Sequence, residues 1–158
     1  RLCFLSNAIS NFLSMASTRG SGSLEWLLEL TDSIITYRSR YSRSPELLPV
    51  LDLLVFDDSN PHGVIFQASV LARYLDRMAR ELGETSESKL PEVLSRLRKF
   101  DLEKLVHQQF SECQVCSPCA ELAALLKELE GAAIQLSEWL GMRYFTHVGD
   151  VSRQTMAL

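Results

Sequence analysis

The chain of 158 residues is long enough for one domain with a buried core and too short for two domains of ordinary size. Hydrophobic residues make up 46% and charged residues 23%, and 16 Lys and Arg against 20 Asp and Glu give a net charge of −4. This composition indicates a soluble globular protein without nucleic-acid binding, and no apolar run approaches the roughly 20 residues that a membrane span needs.

Apolar residues recur at intervals of three and four along the first half of the chain, which predicts amphipathic helices. Residues 1–18 carry one apolar stripe, and after a break that contains glycines Ser23 is suited to cap a second helix. That helix is predicted to continue to the cations Arg38 and Arg40, which complement the negative end of a helix dipole. The next helix, from about residue 49 to 57, is apolar on nearly every side and should be the most buried.

The second half of the chain continues the helical pattern. A turn at Asp57–Pro61 precedes a helix predicted from His62 to Leu82, and a shift in the apolar phase predicts a break near Asp101. The clearest helix spans residues 118 to about 141. Because no segment alternates with a period of two, the predicted fold is all-α, a helical bundle of five to seven helices.

We expect one domain over residues 1–148 and a flexible tail over residues 149–158, which show no periodicity. The chain opens on a helical pattern without an initiator Met, so we expect it to be part of a larger helical domain. The first apolar stripe would then be exposed and would bury itself against a missing partner or another copy, as in a homo-oligomer. That stripe consists of Leu2, Leu5, Ile9 and Phe12.

Asp52 is the most unusual residue because its carboxylate interrupts an apolar helix. An unpaired buried carboxylate is costly, so the sequence predicts a mostly buried Asp52 in contact with a cation. Arg38 is favoured over Arg40 for this contact. Such a pair could simply fix the packing of two helices, or it could bind a ligand or take part in catalysis.

The acidic turn Asp57-Asp58-Ser59-Asn60-Pro61 also has two interpretations. Its oxygens could bind a metal or a cationic ligand such as an amine. More often, Asp and Asn in such a turn bond nearby backbone N–H groups and cap the following helix.

Three cysteines, Cys113, Cys116 and Cys119, are spaced closely enough to share a metal ion. Zinc sites, however, usually pair two close ligands with two distant ones, and an iron–sulfur cluster would need Cys3 as its fourth ligand. We therefore predict no bound metal and no cofactor. His147 is either a base or a cap at a helix end, and Arg73, Arg77 and Arg80 are interpreted as a solvated helix face. No complete catalytic motif occurs, so whether the chain is an enzyme stays open.

The central stretch resembles the second half of the bacterial alpha-E domain family, which is named for its helices and a Glu-Arg motif. The matching residues read ITYRSRY at 35–41, VLDLLVFDDSNP at 50–61 and FQ at 66–67, and YFTH at 144–147 is similar to the family's closing motif. The resemblance is good over residues 24–82, looser in the C-terminal helix and absent from the cysteine-bearing connection. Family members carry an N-terminal half with a Gly-Arg-Tyr…Glu-Arg signature that this chain lacks, and they usually have Asn-Pro-Arg-Ser where this chain has Asn-Pro-His-Gly at 60–63.

The resemblance implies a function beside peptide or amide-bond formation, because members are associated with ATP-grasp ligases of the circularly permuted type and with transglutaminase-like proteins. We therefore expect a cytoplasmic helical accessory or partner domain of an ATP-grasp-type ligase system. One alternative is a small-molecule-binding enzyme domain that is active only with the N-terminal half; another is a structural helical fragment that self-associates. The candidate ligand-binding residues are Tyr37, Arg38, Tyr41, Asp52, Asp57, Asp58, Asn60, Gln67 and His147.

Overall fold

The computed structural model describes residues 1–14, 21–41, 44–83, 88–107 and 118–144. Within these ranges the chain forms helices α1 (Leu2–Ser14), α2 (Ser21–Leu30), α3 (Ile34–Tyr41), α4 (Leu47–Leu51), a π-helical turn (Asp52–Phe56) that continues α4, α5 (Val64–Leu82), α6 (Leu90–Arg98), α7 (Lys104–His107) and α8 (Pro118–Tyr144). The described residues contain no strand, which confirms the all-α prediction. Cys113, Cys116, His147 and the predicted tail lie outside the described residues.

Helix α8 is the longest, and α1 packs along it over much of its length. Two side-chain contacts fix their relative direction. Asn7 Nδ2 donates to Glu130 Oε1 at 2.8 Å, and Ser10 Oγ donates to the Ala123 carbonyl at 3.1 Å. Because a later residue of α1 contacts an earlier residue of α8, the two helices are antiparallel. Helix α6 packs on α8 as well, and α5 joins α6 to α1 and to the π-helical turn.

The apolar stripe of α1 is part of this core, which corrects the expectation that it would be exposed. Leu2, Leu5, Ile9 and Phe12 are all buried. Helix α8 presents a matching row of leucines and alanines, and α5 covers α1 from another side. The stripe is therefore already paired within the chain and is not available for contact with another copy.

The predicted second helix is two helices, because helical structure is interrupted at Thr31–Ser33. Asp32 has φ +55°, a left-handed conformation, and Ser33 N donates to the Leu28 carbonyl at 2.8 Å. This long return bond is the pattern by which helices commonly end, although a glycine usually occupies the left-handed position. The Thr31 hydroxyl bonds the Leu27 carbonyl at 2.9 Å. Because no glycine marks this position, the break could not be predicted from the sequence pattern.

The predicted central helix is confirmed as the most buried segment. Val50, Leu51, Leu53, Leu54 and Val55 are all buried. Its geometry changes at residue 52, where the α-helix widens into the π-helical turn. The predicted break near Asp101 is also confirmed, because α6 ends at Arg98 and α7 begins at Lys104. None of the helices in the described ranges combines the length and the apolar character that crossing a membrane would require.

Candidate functional site

The candidate site begins at the π-helical turn. Its wider backbone ring is closed by Asp57 N, which donates to the Asp52 carbonyl five residues earlier at 2.8 Å. The end of this turn leaves the Leu53 carbonyl for a partner from the next turn, and Asn60 Nδ2 donates to it at 2.9 Å. Single π-helical turns inserted in helices occur frequently at functional sites. The π-helical turn therefore determines the positions of Asp52, its first residue, and of Asp57, the residue that follows it.

Asn60 is a buried residue of the acidic turn, and its side chain bonds to backbone groups on either side. Its side chain is buried, with 1% of the residue exposed, and its Oδ1 accepts a hydrogen bond from His62 N at 3.1 Å. Since Nδ2 donates to the Leu53 carbonyl, both the nitrogen and the oxygen of the side-chain amide are bonded to backbone groups. The structure therefore places Asn60 as a structural support of the site.

Gly63 lies where a side chain would be tightly packed against backbone carbonyls. Its N–H donates to the Asn60 carbonyl at 2.8 Å. A Cβ atom here would lie 3.1 Å from the Asn60 carbonyl oxygen, 3.3 Å from that of Asp57 and 3.4 Å from that of Leu53. The turn thus packs tightly against the start of α5, and this is a physical reason for glycine at a position where the family resemblance led us to expect serine.

Asp57 is the most constrained carboxylate of the site. Its Oδ1 accepts bonds from Ser59 N at 2.8 Å and Ser59 Oγ at 2.6 Å, and its Oδ2 forms an ion pair with the Arg40 guanidinium. Partial burial by itself raises the pKa of Asp57, but the hydrogen bonds from Ser59 and Arg40 outweigh burial and hold the pKa below its ordinary value. Arg40 also donates to Ser59 Oγ at 3.1 Å, so α3 is bound to the turn at two points.

The predicted pair of Asp52 with Arg38 is wrong. Arg38 is exposed and lies 3.9 Å from Glu25 of α2. Asp52 is partly exposed, not mostly buried, and accepts a hydrogen bond from the Tyr41 hydroxyl at 3.3 Å. Among the described residues, no cation lies within ion-pair distance of Asp52.

The reason for this error is the break at Asp32. It starts α3 in a new direction, and α3 then buries Tyr37. Tyr37 and Tyr41 lie one helical turn apart with ring centroids 4.9 Å apart, so Tyr41 shares the face that points to Asp52. Partial burial raises the pKa of Tyr41, and the Asp52 carboxylate raises it further, which keeps the phenol protonated as a donor.

The structure brings together Tyr41, Asp52 and Asp57 of the predicted residues, and it adds Arg40 and Ser59. The adjacency is electrostatic as well as geometric, because Arg40 and Asp57 both influence the Tyr41 hydroxyl. A sequence signal for Ser59 existed: a serine two residues after an aspartate is typical of a turn in which the carboxylate accepts the following N–H. We refer to Arg40, Tyr41, Asp52, Asp57 and Ser59 as the Tyr–Asp cluster.

The other candidates lie around this cluster or away from it. Asp58 is exposed next to it, and Gln67 Nε2 donates to the Pro61 carbonyl at 2.6 Å. Tyr37 points inward, where its hydroxyl accepts a bond from Glu46 N at 3.2 Å and donates to the Ser44 carbonyl at 3.5 Å. His147 lies outside the described residues.

Metal-ligating side chains do not gather in the part of the chain that the structure describes. No group of three or more His, Cys, Asp or Glu side chains there is arranged to hold a metal ion. Cys119 is buried on α8 as part of the core, and Cys3 is half-buried on α1. The absence of bound metal stays a prediction, because Cys113 and Cys116 are outside the described ranges.

Fold and site together define an all-helical domain in which a short π-helical turn and an adjoining acidic turn carry a polar cluster. The sequence profile of the Alpha-E family, described as a predicted alpha-helical domain with a conserved ER motif, matches residues 1–145. The chain belongs to the Alpha-E family, and the match extends well beyond the 24–82 segment that carries the clearest resemblance. The dipeptide Glu-Arg does not occur in the 158 residues. No curated protein matches the chain. No solved structure matches it either.

Proposed function

We propose that the chain is a helical accessory or partner domain of an ATP-grasp-type peptide or amide ligase system. We further propose that a ligand or partner binds at the Tyr–Asp cluster and the adjoining Asp58. Membership of the Alpha-E family supports the first part, through the association with ligases that the family resemblance implies. The geometry of Asp52 supports the second part.

The observation that carries the binding site is the unneutralised charge of Asp52. Among the described residues the carboxylate has one hydrogen bond, from a neutral tyrosine hydroxyl, and no ion pair. Arg40, the cation of the cluster, is held by Asp57 and Ser59 instead. A partly buried carboxylate in this state gains most from a cationic ligand group that brings N–H donors.

The charge of the surface indicates what would bind there. Asp52, Asp57 and Asp58 bring three negative charges and Arg40 one positive charge, so the site has a surplus of two negative charges. An amine or guanidinium of a partner or substrate would complement this surplus. The side chains that are fixed by mutual bonds, Asp57 and Ser59, would provide a rigid edge for it.

A binding measurement with a matched pair of variants tests this proposal. The partner would be an ATP-grasp ligase of the circularly permuted type encoded beside, or fused to, a member of the family. We expect Asp52→Asn combined with Asp58→Asn to weaken binding roughly tenfold or more, the size of effect expected for losing one charge-assisted contact. The control Asp76→Asn with Glu103→Gln removes the same charge from exposed positions elsewhere and should change affinity less than about twofold.

The two parts of the proposal fail separately. Equal affinities of the parent and the Asp52→Asn, Asp58→Asn double variant would exclude the Tyr–Asp cluster as the contact surface. No ligase binding by the parent would exclude the partner role. Binding of a simple primary amine at the cluster without any ligase would instead favour the alternative of a small-molecule-binding domain.

A further inference from the structure

A polar groove lies between α6, α7 and the first half of α8, and it shares no lining residue with the Tyr–Asp cluster. It is a groove of about 300 Å3, at the small end of the range for ligand sites. Its apolar wall consists of Phe100, which is half-buried, and Leu125, which is buried. Charged side chains form its rim: Arg96, Lys99, Lys104, Glu121 and Glu128.

Arg96 and Glu128 on this rim form an ion pair with each other. Both terminal nitrogens of the Arg96 guanidinium face the Glu128 carboxylate, with Nη2 3.4 Å from Oε1 and Nη1 bonded to Oε2. The hydrogen bond and the negative charge of Glu128 both raise the pKa of Arg96. This fork-to-fork pair connects α6 to α8 and closes one end of the groove without leaving spare charge.

The rest of the rim has a surplus of positive charge. The side chains of Lys99 and Lys104 have no hydrogen bond or ion pair with any described residue, and the only other charge on the rim is that of Glu121. Among the lining side chains in the described part of the chain, these two ammonium groups and the Glu121 carboxylate sum to a charge of +1, whereas the whole chain carries −4. An anion would be attracted to the two ammonium groups.

Phe100, the aromatic part of the wall, packs against a second aromatic ring. The Phe100 ring stacks on Phe56, with ring centroids 5.9 Å apart and an angle of 17° between the planes. A ring fixed in this way offers its exposed part to a ligand at little cost in side-chain entropy. The groove therefore combines a preformed apolar wall with two cations that pair with no described residue.

We propose that this groove binds a small molecule in which a phosphate or carboxylate is attached to an apolar body. Lys99 and Lys104 hold the anionic group, and the apolar body lies against Phe100 and Leu125. The proposal does not depend on the partner role proposed above, because no residue is shared between the two sites.

The test is a titration monitored by amide chemical shifts, with four probes that separate the two recognition elements. Phenyl phosphate and benzoate carry both an anion and an apolar ring, inorganic phosphate lacks the ring, and benzyl alcohol lacks the charge. We expect at least one of the two ring-bearing anions to bind more tightly than inorganic phosphate and benzyl alcohol, with shifts centred on Lys99, Phe100 and Lys104. The tighter of the two identifies the anionic group.

Variants of the rim supply the second arm. Lys99→Gln with Lys104→Gln should weaken binding of the preferred probe roughly tenfold, because both charge-assisted contacts are lost. The control Arg73→Gln with Lys89→Gln removes two exposed cations elsewhere and should leave affinity within about twofold. Glu121→Gln should strengthen binding, because it removes a repulsive charge from the rim of the groove. Equal affinities of the parent and the double lysine variant, or equal binding of benzyl alcohol and the anions, would overturn the proposal.

Discussion

Ser6 and Ser10 are buried serines of α1 that lie one helical turn apart and differ in the hydrogen bonding of their hydroxyl groups. The Ser10 hydroxyl bonds the Ala123 carbonyl of α8, whereas the Ser6 hydroxyl has no hydrogen-bond partner among the described residues. A buried hydroxyl without a partner loses its hydration without compensation. We expect Ser6→Ala to raise the free energy of unfolding by on the order of 1 kcal/mol and Ser10→Ala to lower it by about 1 kcal/mol. Urea unfolding of the two variants checks this, and equal losses for both would contradict it.

Asp57 gives the site a dependence on pH whose sign follows from its environment. Its pKa is held below the ordinary value of 3.8, so the folded state binds the proton less readily than the unfolded state does. The resulting stabilisation is complete above the ordinary pKa and is lost as the pH falls through the lower, folded value. The difference in free energy of unfolding between the parent and Asp57→Asn should therefore be constant from about pH 7 to 5 and shrink below about pH 4.

The neighbouring Asp58 provides the control for this measurement. It is exposed, and its carboxylate has no hydrogen bond or ion pair with a described residue, so Asp58→Asn should follow the parent over the same pH range. An Asp57→Asn difference that persists unchanged down to pH 3 would show that the Arg40 and Ser59 contacts do not favour the ionised carboxylate.

The site could be predicted from the sequence only in outline. An aspartate inside an apolar run and a turn rich in Asp and Asn identified the correct region of the chain. The partners could not be assigned, because the contact of Asp52 depends on the direction of α3, and that direction is set by one left-handed residue. The inward orientation of Asn60 could not be predicted either, since it depends on where the π-helical turn places the Leu53 carbonyl.

At the scale of the elements, the link between α2 and α3 is strained, because Asp32, a residue with a Cβ, occupies a left-handed conformation there. Aspartate and asparagine tolerate this region better than other non-glycine residues, and β-branched residues tolerate it worst. Asp32→Asn should leave the melting temperature nearly unchanged, because the exposed ion pair that it breaks with Arg1 is worth little. Asp32→Val should lower the free energy of unfolding by about 1–2 kcal/mol. Thermal unfolding of the pair checks this, and similar melting temperatures would show that the link can relax.

How well each helix could be predicted depended on whether one side of it, or nearly every side, is buried. Helices with a one-sided stripe, such as α1 and α8, were predictable because burial of one face dictates a period near 3.6. The π-helical turn was not, because a segment that is buried nearly all round has no polar face to show its period. The sequence therefore predicts where this protein is helical more reliably than it predicts how each helix is wound.

At the scale of the whole molecule, the contacts form one continuous chain. Helix α1 connects α8 to α5, α5 adjoins the π-helical turn, and α4 adjoins α2. The two ends of the described fold are thereby joined through a single core. We propose that residues 1–148 form one cooperative domain, and the two tryptophans allow this to be tested because they lie in distant elements of the chain, Trp26 in α2 and Trp139 in α8.

A destabilised variant with single-tryptophan reporters is the sharpest form of this test. Ile9 is fully buried on α1, so Ile9→Ala should lower the free energy of unfolding by roughly 2–4 kcal/mol, through lost burial and the cavity left behind. Phe4 lies on the same helix with about half of its surface exposed, and Phe4→Ala should cost well under 1 kcal/mol. If the domain is one cooperative unit, Ile9→Ala shifts the urea midpoint reported by Trp26 (in a Trp139→Phe background) as far as that reported by Trp139 (in a Trp26→Phe background). A shift seen by Trp139 alone would show instead that α1 and α8 unfold separately from the segment that carries the Tyr–Asp cluster.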